Sequence, residues 1–165
     1  IKYLVDTLAM SYQYQTPGYA KAPTALCKAA EKYIIEKKPE LLAICFEEPD
    51  HTGHTKGHDT PAYYQMLKEL DGYVERILQA IKKAGIWDDT IIIMTADHGG
   101  IKTGHGGKTL REMEIPFIIS GKNVRKGMEI KESMMQYDVA STIAYIFGLK
   151  QPQVWIGRPM KQVFK

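Results

Sequence analysis

An α/β fold built on a mostly parallel sheet is what the sequence predicts. Three observations carry it: short unbroken apolar runs, amphipathic stretches between them, and acidic or histidine-bearing loops directly after the runs. The 165 residues amount to one domain, and 44% hydrophobic with 25% charged residues are ordinary for a globular protein with a sizeable core, which excludes a disordered chain.

From Ala22 to Lys38, the residues Leu26, Ala30, Tyr33 and Ile34 recur at helical spacing, Pro23 suits a first turn and Pro39 forbids continuation. Leu41-Leu42-Ala43-Ile44-Cys45-Phe46 is too brief for a helix and predicts a strand buried on both faces, ending just before Glu47, Glu48, Pro49 and Asp50. Thr60-Pro61 opens a second helix, in which Leu67, Leu70, Val74, Ile77 and Ile81 form one face until Gly85 supplies a left-handed stop. Thr90 to Thr95 repeats the buried-strand signature and ends near Asp97. Strand, helix and strand at this spacing predict a parallel crossover unit. Ile115 to Ser120 predicts another strand, with Pro116 tolerable at its start or on an edge, and Asp138 is expected to cap a last helix that runs through Phe147 to Gly148. Ile1 to Val5 suits a strand, Gln13 to Lys21 a loop, and the tail from Gln151 to Lys165 has no clear period.

A formal charge of +3, from 22 Lys+Arg against 19 Asp+Glu, is too small and too scattered to attract a nucleic acid polymer, whereas a small anionic substrate is compatible. No apolar run reaches the length of a membrane span. The chain begins at Ile1 without an initiator methionine, so the lack of a visible signal peptide says nothing about export. Cys27 in the first helix and Cys45 in the first predicted strand form no close pair and are expected to be two buried thiols.

All five histidines lie in two stretches, each with aspartate: Asp50-His51-Thr52-Gly53-His54 with His58 following, and Asp97-His98-Gly99-Gly100 followed by Gly104-His105-Gly106-Gly107. Carboxylate oxygen plus imidazole nitrogen is the donor set a borderline divalent cation prefers, and glycine lets a backbone fold tightly around an ion. Asp50 and His54 are expected to flank a bend at Gly53 and face one ion, with His51 pointing elsewhere and His58 a solvated or supporting imidazole. In a parallel sheet every strand delivers its following loop to the same edge, so Asp50 and Asp97, each just past a predicted strand, are expected at one rim.

Thr95-Ala96-Asp97-His98-Gly99-Gly100, then Gly104-His105-Gly106-Gly107, together with Pro49-Asp50-His51-Thr52-Gly53-His54, resemble the alkaline phosphatase superfamily, and most closely its type I phosphodiesterase/nucleotide pyrophosphatase branch. The resemblance runs from about Leu41 to the C-terminus. It implies a three-layer α/β/α sandwich, of which residues 1–165 are the C-terminal portion of one catalytic domain lacking its N-terminal half. It also implies two divalent ions, zinc first and manganese as the alternative, bridged by a substrate phosphate. By motif, Asp50, His54 and His105 look like ligands of one ion, and Asp97 and His98 like ligands of the other. The family completes the second ion with an N-terminal aspartate and a threonine or serine nucleophile. Asp6-Thr7 is a poor match for these, so the nucleophile is expected to lie outside this chain. In the nucleotide pyrophosphatase branch the third histidine usually lies far beyond Asp-His-Gly, whereas His105 follows His98 by seven residues, which implies a compact branch.

The activity implied is hydrolysis of phosphoric esters, with Lys108 as a substrate-binding candidate and Lys102 and Arg111 as weaker ones. A sulfatase or a phosphosugar mutase of the same superfamily is the alternative, as is a metal-binding fragment without catalysis. Sulfatases resemble this architecture but hold Ca²⁺ with oxygen ligands, typically with Asn where this chain has His98, and imidazoles suit Ca²⁺ poorly. Expected partners are a small phosphorylated substrate and a further chain segment or second chain covering the sheet. Relatives resembling this one are often extracytoplasmic, which implies a periplasmic or extracellular location.

Overall fold

The computed structural model describes residues 22–165. The expectations for Ile1 to Val5, Asp6-Thr7 and Gln13 to Lys21 lie outside the described residues. The chain packs as two compact units, one running to Ile86 and including Ile101–Gly104, the other formed by Trp87–Gly100 and His105–Lys165.

In the first unit, α1 (Ala22–Lys37) and α3 (Pro61–Lys83) form the scaffold. Cys27, Ala30 and Ile34 recur on one face of α1 and are buried, as are Ala80 and Ile81 of α3 and Ala84 just beyond it. Small residues at this seam let the helices approach closely. The two isoleucines add about 1.5–3 kcal/mol of burial each. At the rim, Arg76 makes a bidentate pair with Glu31, with N–H to oxygen distances of 2.8 and 2.7 Å. Both helices end where the sequence predicts. Thr60 caps α3, its hydroxyl oxygen accepting the Tyr63 N–H at 3.2 Å, and Gly85 takes a φ of +72° after the last turn.

Two expectations fail between these helices. Leu41 to Phe46 forms no strand, and Leu41 is 61% exposed. An apolar run becomes a strand only when a neighbour takes its N–H and C=O groups, and among the described residues no strand pairs with it. Cys45 on this run is accordingly exposed, while Cys27 is buried as expected. Nor is there a bend at Gly53: Glu48–Lys56 is a helix, α2. Pro49 in its first turn presets the helical φ, and Glu48 and Asp50 place negative charge at the positive end of the helix dipole.

The second unit holds β1 (Ile91–Thr95) and β2 (Phe117–Gly121), paired antiparallel with Ile91 opposite Gly121 and Thr95 opposite Phe117. This pair is the whole sheet among the described residues, so the expected mostly parallel sheet is absent there. Parallel pairing needs a crossover element, usually a helix, and the segment from β1 to β2 contains only the four-residue α4 (Leu110–Met113). Pro116 falls just outside β2, where its missing N–H breaks no ladder bond.

The core of this unit lies along α5 (Gln136–Ile146), where Asp138, Ser141, Thr142 and Ala144 are buried with Val124, Met160 and Val163. Asp138 is not the N-cap residue, which is Met135. Standing three residues further on, its carboxylate accepts the Met135 N–H at 2.9 Å and the Arg158 N–H at 2.7 Å. The Thr142 hydroxyl donates to the Asp138 carbonyl at 2.7 Å and accepts the Met160 N–H at 3.0 Å. The aperiodic tail is thereby tied to α5. No described helix is long and apolar enough to cross a membrane.

Candidate metal centre

In the first unit, α2 sets Asp50 and His54 one helical turn apart, with His54 Nε2 3.4 Å from Asp50 Oδ1. The other ring nitrogen, Nδ1, lies 2.9 Å from the Thr103 carbonyl oxygen. A carbonyl only accepts, so Nδ1 donates a proton to it, and Nε2 faces a carboxylate. An imidazole anchored through Nδ1–H to a backbone carbonyl is also how a metal-ligating histidine is held in its tautomer. Thr103 belongs to a tight turn that Ile101 and Gly104 close with reciprocal N–H to O=C bonds of 2.9 and 3.0 Å, and Lys102 in it has a φ of +53°.

His58 lies beyond α2, after Gly57 takes a φ of +91° and ends the helix. Its ring rests on Gly53, where a Cβ atom would overlap the imidazole, and its Nδ1 lies 3.1 Å from the Lys102 carbonyl oxygen. Glu48 opens α2 half-buried. Burial pushes its carboxyl above the usual carboxylate range, and its Oε2 has no hydrogen-bond partner among the described residues.

In the second unit, Asp97 and His98 follow β1 directly, as predicted. His98 Nε2 lies 3.5 Å from Asp97 Oδ2, and Nδ1 lies 2.8 Å from the Gly99 carbonyl oxygen. The tautomer is fixed as it is for His54, with Nε2 again toward aspartate. The His98 ring stacks on His105, centroids 3.8 Å apart and planes 19° from parallel. Gly99 has to be glycine, because a Cβ would strike the Arg111 and Glu114 carbonyls. Beyond His105 the loop is held by Glu112, whose carboxylate accepts the Thr109 hydroxyl at 2.6 Å and the Gly107 N–H at 2.8 Å. Those bonds, with His105 nearby, hold the Glu112 carboxyl below the usual range.

Each unit therefore brings its own carboxylate and imidazole together: Asp50 with His54, and Asp97 with His98, on whose ring His105 stacks. Asp50 does not follow a strand, so its delivery to a common sheet rim has no basis in the described topology. Lys108 lies exposed before α4. Lys102 contributes its carbonyl oxygen as an acceptor, and the Arg111 carbonyl backs Gly99, whose N–H donates to the Glu112 carbonyl at 2.9 Å. Thr103 and Glu112 escaped the sequence reading. Thr103 acts through its main chain, which no residue type announces; Glu112 stood in the visible pattern Thr109-x-x-Glu112, which signals a capping box.

Comparison with known proteins agrees with this chemistry. The human GPI ethanolamine phosphate transferase 2 catalytic subunit is 28% identical over 159 residues, covering 87% of this chain and 16% of that protein. A phosphopentomutase of Alkaliphilus metalliredigens is 36% identical over 121 residues, covering 72% of this chain and 30% of that protein. The crystal structure of a protein assigned as a sulfatase, from Bacteroides thetaiotaomicron, superposes with a TM-score of 0.66 at 14% identity, covering 94% of this chain and 48% of that one. The chain thus spans less than a third of those curated relatives and about half of the solved one. Transferase, mutase and sulfatase are members of the alkaline phosphatase superfamily, and the mixed α/β fold and Asp/His clusters described here are of that class. Residues 3–133 match the type I phosphodiesterase / nucleotide pyrophosphatase family, and the chain belongs to it.

Proposed function

We propose that this chain carries the metal-binding portion of a phosphoric-ester hydrolase, with Asp50 and His54 gripping one divalent ion, Asp97 and His98 a second, and His105 as the further ligand that the motif implies. The observation that carries the reading is the repeated histidine arrangement: in both units Nδ1–H is spent on a backbone carbonyl and Nε2 faces an aspartate. The donor set fits zinc, since three imidazoles and two carboxylates suit a borderline cation better than Ca²⁺, which favours the phosphoesterase over a sulfatase.

When bound, such ions supply Lewis-acid polarisation and neutralise phosphoryl charge. The chain's own residues set the donors. Asp50 and Asp97 provide negative charge, the Thr103 and Gly99 carbonyls fix the tautomers, and Lys108 stands exposed near the second cluster for an anionic group. A small phosphorylated molecule is the substrate in this reading. A further segment or chain covers the sheet, where Ile118 is 56% exposed, and the location is outside the cytoplasm.

Calorimetric titration of the chain with Zn²⁺ tests the metal site. Tight binding that Asp50→Asn weakens strongly is expected, and absence of divalent-ion binding overturns the proposal. Turnover assays on the intact protein test the ester class: hydrolysis of p-nitrophenyl sulfate faster than of bis(p-nitrophenyl) phosphate counts against it.

A further inference from the structure

We infer that His58 is a positioning residue for the proposed ion site, acting on His54 through the Ile101–Gly104 turn rather than as a ligand; this rests on the metal-binding reading above. The Lys102 carbonyl receives two hydrogen bonds from this one residue, from the His58 main-chain N–H at 2.6 Å and from its ring Nδ1–H at 3.1 Å. Both lone pairs of the carbonyl are thus engaged by one side chain and its own backbone. The ring itself is boxed in: it lies against Gly53 on one side, where only a missing Cβ leaves room, and against the Tyr63 ring, 5.3 Å away between centroids.

What this grip steadies is a strained backbone, closed otherwise by the reciprocal Ile101 and Gly104 bonds. Lys102 has a left-handed φ of +53°, a conformation that costs a non-glycine residue roughly 1 kcal/mol or more. The next carbonyl along, that of Thr103, is the one that takes the His54 Nδ1–H at 2.9 Å. Fixing the Lys102 peptide therefore fixes the acceptor that selects the His54 tautomer and turns Nε2 toward Asp50. Without the His58 ring the Lys102 carbonyl keeps the residue-58 main-chain N–H but loses its second hydrogen bond, and the Thr103 acceptor that orients the His54 ring is held less firmly. With its own Nδ1 donating, His58 has only Nε2 left as an acceptor, and that atom lies against Gly53. It is placed to pack and not to ligate.

The test uses the full chain with three substitutions. His58→Asn keeps an amide N–H near the position of Nδ1 and removes Nε2; His58→Ala removes both; His58→Leu removes both but keeps bulk over Gly53, which serves if the alanine variant does not fold. Zn²⁺ affinity is expected to fall roughly 10- to 100-fold in His58→Ala and His58→Leu, the range for residues that orient a ligand, and to stay within about threefold of the parent in His58→Asn. The His54 tautomer in the metal-free chain, read by long-range ¹H–¹⁵N correlation, is expected to be Nδ1–H in the parent and His58→Asn and mixed in the other two. An asparagine variant as weak as the leucine variant marks His58 as a ligand and overturns the inference. Unchanged affinity and tautomer in His58→Leu, with only a lower Tm, reduce it to packing and overturn it as well. A parent chain that binds no Zn²⁺ defeats the metal reading, and the tautomer measurement then still decides the role of His58.

Discussion

In the first unit, Asp50 and His54 meet because a helical turn separates them, and the imidazole is turned by a carbonyl 49 residues along the chain. In the second, Asp97 and His98 are chain neighbours, and the imidazole is turned by the carbonyl of the very next residue. The outcome is the same, Nε2 toward carboxylate, but one pair depends on tertiary structure and the other almost entirely on local backbone. A locally wired pair keeps its geometry when distant contacts loosen; a remotely wired one has to be held by its surroundings, here the 101–104 turn and the ring that grips it.

The contrast breaks most sharply on the ligands themselves. His54→Ala and His98→Ala are each expected to cost Zn²⁺ affinity by more than the roughly 100-fold that bounds supporting residues, each removing a different binding event in a two-site titration. Loss of the same single event by both variants contradicts separate roles for the two clusters.

Next in size are the two glycines. Gly53→Ala should gain about 1 kcal/mol of helix propensity, yet its new Cβ overlaps the His58 ring, and overpacking of that kind costs roughly 1–3 kcal/mol. Net destabilisation in denaturant unfolding is expected, turning to stabilisation when His58→Gly is added. Gly99→Ala meets the main-chain carbonyls of Arg111 and Glu114 instead, so no second side-chain substitution should rescue it. Rescue of both, or of neither, erases the difference between a glycine set by a distant ring and one set by nearby backbone.

The smallest effect concerns the loop after His105. The folded-state carboxyl of Glu112 is depressed by the Thr109 hydroxyl and the Gly107 N–H, so it contributes stability that is present above the ordinary glutamate range. That contribution is lost as pH falls through the folded-state value. Glu112→Gln should therefore flatten the acid limb of the stability curve, measured as Tm against pH, and a parallel downward shift at all pH values would sink this account.

How far the sequence was readable follows from where each signal resides. The outer helices were legible because Leu26, Ala30, Tyr33 and Ile34, and then Leu67, Leu70, Val74, Ile77 and Ile81, recur at helical spacing, each after a proline start and before a stop at Pro39 or Gly85. β1 and β2 were legible as apolar runs, but Leu41 to Phe46 has the same composition without a ladder, since pairing depends on a neighbour and not on the run itself. The donor residues Asp50, His54, Asp97, His98 and His105 could be singled out by type. Their orientation could not, because Thr103 and Gly99 act through carbonyl oxygens that every residue possesses. Gly53 pointed toward a bend and is in fact helical, its small size serving a ring that arrives from His58.

The Thr142 hydroxyl, lodged between one helical carbonyl and the amide of Met160, has a further consequence for the last segment of the chain. Residues 151–165 show no pattern that would fold them alone, so their conformation is set from outside, by Thr142 and Asp138 of α5 and by the main chain of residues 123–125, which bonds to Val163 and Lys165. Thr142→Val, nearly identical in shape, would leave the Met160 amide stranded in an apolar enclosure. Substitutions scattered among the exposed tail positions, by contrast, leave these attachment points intact. Order at this terminus is thus encoded elsewhere in the chain, and the tail's own composition is comparatively free to drift.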